Sequence, residues 1–167
     1  MTPRCVFIFF STCQHDHWRR GHKQICKKIH RGGNAEQYHA DNKYKEAGAV
    51  AVEACADDAK DHTCYLCHEA DQEGLVRGCG CRGAAGFMHM SCLAAQARVL
   101  MDEVEENNSR WRRWDTCSLC DQDYHGVVQC ALGWACWKTY LGRPEVDFNR
   151  RRAAIKLPVM LLAVDRY

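Results

Sequence analysis

The 167-residue chain is poor in long apolar runs, in proline and in net charge, and each shortage removes a class of protein. Apolar stretches such as Val6–Phe10 and Val159–Ala163 fall far short of the roughly 20 residues that span a bilayer. The opening Met1–Phe10 has neither the apolar core nor the small-residue cleavage site of a secretory signal. A formal net charge of +2 exerts no global pull towards nucleic acid or membrane. These absences lead to the expectation of a cytoplasmic or nuclear, soluble protein with no membrane span, in a reducing compartment that keeps thiolates available. Proline is rare enough that Ala35 to Ala59 contains none, with Gly48 as its one glycine, so a linking helix is expected there.

Cysteine, by contrast, is abundant, and eight metal-ligand residues stand in one ordered series. They are Cys64-x2-Cys67, Cys79-x-Cys81, His89-x2-Cys92 and Cys117-x2-Cys120. Each pair sets two soft ligands on a tight turn, and a closed structural zinc site takes four such ligands in a tetrahedron. Four pairs therefore serve two Zn2+ ions. A disulfide framework is the competing assignment, and an odd total of 13 cysteines without a secretory signal argues against it. With four protein ligands per ion, no coordination position is left for a catalytic water. Every convincing Cys or His constellation is then committed to metal, which leaves no nucleophile–base pair for covalent catalysis.

The order of ligand types, the one-residue Cys79-Gly80-Cys81 spacer, Arg82-Gly83 after it and Leu93 after Cys92 resemble the RING-CH (RING-variant) zinc-finger family over residues 63–124. A PHD finger shares the ligand order but normally has a wider second pair. The resemblance implies a small zinc-stabilised α+β fold, a RING-CH cross-brace finger with flanking helices. In it Cys64, Cys67, His89 and Cys92 hold one ion and Cys79, Cys81, Cys117 and Cys120 the other. It also implies a ubiquitin ligase module that docks a ubiquitin-charged conjugating enzyme beside a protein substrate, with no small-molecule substrate and with catalysis by positioning. Leu66, between the first two ligands, matches the residue that RING domains offer to the conjugating enzyme. Other matches are missing. Ala94 and Ala95 replace a bulky aromatic, Ser118-Leu119 lacks a proline, and Asp121 or Gln122 stands where an activating basic residue often sits. These departures keep a non-catalytic protein-interaction adaptor as the alternative.

Near the start, Cys13-Gln14, Trp18, His22-Lys23 and Cys26 resemble the closing half of a MYND zinc finger, with Phe9 where an earlier cysteine belongs. The segment reads as a truncated or decayed domain. Its matched ligands belong to two different ions by analogy, so no third ion is expected, although His15 and His17 lie nearby. The bland alternative is a basic helix from His17 to His30 with Arg19, Arg20, Lys23, Lys27 and Lys28 on a solvated face. No aromatic or groove-reading pattern accompanies those charges, so nucleic-acid binding is not expected.

The chain accordingly divides into a MYND-type remnant (1–30), a helical linker (31–62), the finger (63–124) and a helical extension (125–167). Leu93, Ala97, Leu100, Met101 and Val104 predict an amphipathic helix ended by Asn107-Asn108-Ser109. Trp111 and Trp114 are expected to pack around the zinc sites. A second helix is predicted over Val127–Leu141, broken by Gly142-Arg143-Pro144, with a basic segment from Arg150 to Lys156 before Pro158. Cys55, Cys130 and Cys136 are expected to be thiols rather than ligands, and His62, His68 and His125 to be structural.

Overall fold

The computed structural model describes residues 21, 23–31, 34–70, 73–103 and 108–162. Two compact units are present, Met1–His39 and Ala40–Tyr167.

In the first unit, α1 (Lys23–Arg31) is the described part of the expected basic helix. Residues 17–20 and His22 lie outside the described residues. The stop signal at Arg31 holds, and Asn34 then opens α2 (Ala35–Cys55). Its Oδ1 accepts the Gln37 N–H at 2.7 Å, which satisfies one of the donors a helix start leaves orphaned. Glu36 in the first turn complements the positive end of the helix.

In the second unit, the remainder of α2 places Ala51 in the core, with Tyr44, Ala47, Val52 and Cys55 packed against it. The segment expected to be a spacer thus contributes to the core beside the ligand loops. Small side chains make this possible, because they let a helix approach those loops closely.

Residues 62–70 and 73–89 run mostly as turns, bends and irregular backbone. Among the described residues the strand pairing amounts to two isolated bridges, Val76 with Met88 and Thr116 with Asp123, so the expected α+β class is corrected to a mostly helical one. The cause is local, in the ligand pairs themselves. The N–H of Cys64 bonds the Glu69 carbonyl (3.0 Å) while the His68 N–H returns to the Cys64 carbonyl (2.8 Å). The same pattern recurs from Cys117 to the Gln122 carbonyl (2.9 Å) and from Asp121 back to Cys117 (3.0 Å). His68 and Asp121, each following the second cysteine of its pair, take left-handed φ values of 62° and 55°. Knuckles of this kind use the backbone groups that a strand ladder would need.

The helix α3 (Met90–Glu103) begins on the second residue of the third ligand segment. Its start is tied down by Glu73, which accepts the Ser91 N–H at 2.8 Å. Leu93, Ala97 and Met101 form its buried stripe. A 3-10 helix follows at Asn108–Trp114. Val104 to Asn107, the tail of the predicted helix and the first residue of its stop, lie outside the described residues, while Asn108-Ser109 open the 3-10 helix.

The last two helices are α4 (Gly126–Tyr140) and α5 (Phe148–Leu162), packed on one another. Gly133 allows the close approach, since a Cβ there would lie 3.2 Å from the Met160 Cβ. Trp111 and Trp114 are buried in the same core cluster as Cys64, Cys79 and Cys117. Their rings meet Tyr140 of α4, with centroids 5.5 and 6.1 Å away, and so fasten the 3-10 helix to the helical extension. Lys156 of α5 pairs with Asp115 just ahead of the last ligand pair. The basic segment does not stop before Pro158 but continues as helix through it. The carbonyl that Pro158 cannot bond belongs to Ala154 on the exposed face, where water can satisfy it.

Candidate metal centre

The four ligand pairs converge in alternation. Cys64, Cys67, His89 and Cys92 form one cluster and Cys79, Cys81, Cys117 and Cys120 another, with the ligand atoms of each within 4.8 Å of one another. Those are the two sets that the resemblance implied. The first is built by the knuckle after His62 and by the start of α3, which carries Cys92 one turn beyond His89. The second joins the bend at Cys79–Cys81 to the last knuckle before α4.

A tetrahedron with zinc–sulfur bonds of about 2.3 Å has sulfur–sulfur edges of about 3.8 Å. The Sγ atoms of Cys81 and Cys117 lie 3.8 Å apart. With a zinc–nitrogen bond of about 2.0 Å the mixed edge is about 3.5 Å. His89 Nδ1 is 3.4 Å from Cys67 Sγ and 3.7 Å from Cys92 Sγ. These separations are far too long for disulfides and fit a closed four-ligand zinc site. Zinc, when bound, is a structural staple here, and the chain's own residues hold its ligands in place.

The electrostatics point the same way. Burial raises the Cys92 thiol to about 12, reinforced by the neighbouring Cys67 and Cys64 sulfurs. Burial likewise lifts Cys81 to about 11, with the Cys117 sulfur adding to it, and pushes Cys79 up further. Thiolates crowded in this way repel one another, and a divalent cation removes that penalty. Two knuckle sulfurs go the other way. At Cys64 burial is outweighed by backbone N–H groups of Cys67, His89 and Leu66, bringing the thiol down to about 7. The backbone N–H of Gln122 lowers Cys120.

Several supporting residues carry no signal in the ligand pattern. The N–H of Leu119 donates to Cys117 Sγ at 3.4 Å. Tyr124, buried, has its hydroxyl pushed up by burial and by the nearby Cys117 sulfur. Gly86 has φ +83°, and a Cβ there would sit 2.7 Å from the Cys81 Cβ. Phe87 is stacked by His62 at 4.6 Å and covered by the Arg77 guanidinium at 4.1 Å. An aromatic beside Met88-His89 was the available clue to this last arrangement.

Among the described residues, His62, His68 and His125 join neither cluster. Cys55 instead takes the Arg77 N–H at 3.5 Å, and Cys136 is a buried thiol raised by its burial. Cys130 is only half-buried. Cys26 lies on α1 outside any ligand cluster of the described residues, while Cys13, Gln14, His15, His17, Trp18 and His22 lie beyond them. Leu66 is half-buried and packs against the core, whereas Tyr65 and Leu119, one in each knuckle, are exposed. Ala95 is exposed and Ala94 half-buried, and Ser118 donates to Gln96 Oε1 at 3.2 Å, tying α3 to the last knuckle.

Two interleaved clusters with helical flanks define a zinc-binding finger. The family model of the RING-variant domain matches residues 64–120, first ligand to last and about a third of the chain. No curated protein and no solved structure matches the sequence. No helix of the described residues is long and apolar enough to cross a membrane.

Proposed function

We propose that the finger is a cross-braced ubiquitin ligase module, which docks a ubiquitin-charged conjugating enzyme and presents its thioester to a lysine of a protein substrate. The observation that carries this reading is the RING-variant match over the same residues that converge into two four-ligand clusters. Its catalysis is positioning, since every ligand-bearing cysteine is committed to metal. Leu66 is the proposed contact to the conjugating enzyme, with Tyr65 beside it and more exposed.

The test is discharge of a panel of charged conjugating enzymes by the zinc-loaded chain. Leu66→Ala is expected to suppress discharge while zinc content persists, and Cys64→Ala to abolish both. Absence of stimulation with every panel member would favour the second reading, a zinc-stapled adaptor without transfer activity. That reading draws its support from Ala94 and Ala95, which offer no bulky side chain on α3.

A further inference from the structure

The helix α5 has two apolar faces, and among the described residues one has a partner. Ala153 and Met160 are buried on the inner face against α4. On the opposite side Phe148, Ile155 and Leu162 repeat every seven residues, and Arg152 and Val159 fall four residues after the first two. That spacing sets all five on one seam of a helix. The four apolar members are between 50% and 65% exposed. Beside the seam lies a shallow cavity of about 170 Å³ lined by Trp111, Arg152, Ile155, Lys156 and Val159.

We propose that this outer face is a docking surface for an amphipathic helix of a partner protein, one whose apolar seam is flanked by glutamate or aspartate. The charges choose the occupant. Arg151 and Arg152 make no ion pair among the described residues, while Lys156 is already neutralised by Asp115. An acidic flank supplies what the two arginines lack, and apolar anchors at heptad spacing match the stripe and its cavity. A second copy fits poorly. Laid parallel it opposes Arg152 to Arg152, and laid antiparallel about Ile155 and Val159 it sets Arg152 against Leu162. A bilayer fits poorly as well, because Arg152 lies within the stripe, where lipid would desolvate it and a carboxylate would pair it.

The probe is a synthetic amphipathic helix of about three heptads with leucine on its seam and glutamate on both flanks, titrated into the zinc-loaded full chain. A twin peptide with lysine flanks is the control. The glutamate peptide should bind on the order of tenfold tighter than its twin, through several pairs turned from repulsion to attraction, and salt should erode that difference. Ile155→Asp should abolish binding with zinc content and helicity unchanged, and Arg151→Glu with Arg152→Glu should reverse the preference between the peptides. Equal binding of both peptides, or none, overturns the proposal. Concentration-dependent self-association that Ile155→Asp removes assigns the face to a second copy instead, and retention on anionic vesicles without peptide binding assigns it to a membrane surface. Ubiquitin discharge is not read in any arm, so the outcome is independent of the function proposed for the finger.

Discussion

At the scale of single residues, a ligand is separable from a thiol that merely fills space. Cys79 belongs to a four-ligand cluster, whereas Cys55 sits at 3.5 Å from the Arg77 N–H in the core around α2. Cys79→Ala should cost one zinc equivalent and loosen the finger, while Cys55→Ala should leave zinc content intact. Metal analysis of the two purified variants checks this, and equal zinc loss in both would break the distinction. The supporting residues admit a finer test. Tyr124→Phe keeps the ring in the core but removes the hydroxyl near the Cys117 sulfur. Loss of an outer-shell partner typically lowers metal affinity by about 10- to 100-fold. Competition with a chromophoric chelator should show that loss in one of the two sites only. Gly86→Ala acts by strain instead, since its positive φ and the Cys81 contact both oppose a side chain. A cost of roughly 1–3 kcal/mol is expected in a thermal melt.

At the scale of elements, helices declared themselves by a periodic stripe or by a stop. Leu93, Ala97 and Met101 mark α3, and the apolar residues of α4 end at Gly142-Arg143-Pro144. Among the described residues the strands of the expected α+β fold did not form, because each knuckle spends its backbone bonds on its own turn. No residue pattern shows that, since the choice is made by the metal ligands' geometry. The ligands themselves were legible in full, whereas Tyr124 and Gly86 were not, as their roles depend on how each ligand loop folds back on itself. The extent of α5 was also hidden. Proline at position 158 argues for a stop, and the helix nevertheless continues because Ala153 and Met160 are anchored against α4 on either side of it. Packing outweighs the proline penalty there, and the penalty is still present. Relative to alanine it is roughly 3 kcal/mol in a helix interior, offset in part by the stiffer unfolded chain. Pro158→Ala should therefore raise stability by about 1–2 kcal/mol. An unchanged melting temperature would mean that the last turn of α5 does not contribute to the cooperative fold.

For the whole molecule, the question is whether the core stands without its metal. Buried residues of α2, α3, α4 and the ligand loops form one cluster that includes Cys64, Cys79 and Cys117 themselves. Zinc loss should therefore propagate into the helices. The pH dependence follows from proton counting. Thiols of the unfolded chain titrate near 8.5, and metal-bound cysteines carry no proton, so the unfolded state binds more protons over the range below that value. Stability conferred by zinc is thus fully present only above the unfolded value and is lost as pH falls. Each displaced proton steepens the loss by about 1.4 kcal/mol per pH unit. Cys81 at about 11 and Cys92 at about 12 hold their protons more tightly than free thiols do, so acid favours their metal-free form as well. Acidification from pH 8 to 5, followed by a zinc-sensitive dye and by circular dichroism together, should show metal release and loss of helicity in one transition that chelator reproduces at constant pH. Zinc leaving while near-ultraviolet signals from Trp111 and Trp114 persist would show that the α4–α5 pair and the 3-10 helix hold together by packing alone.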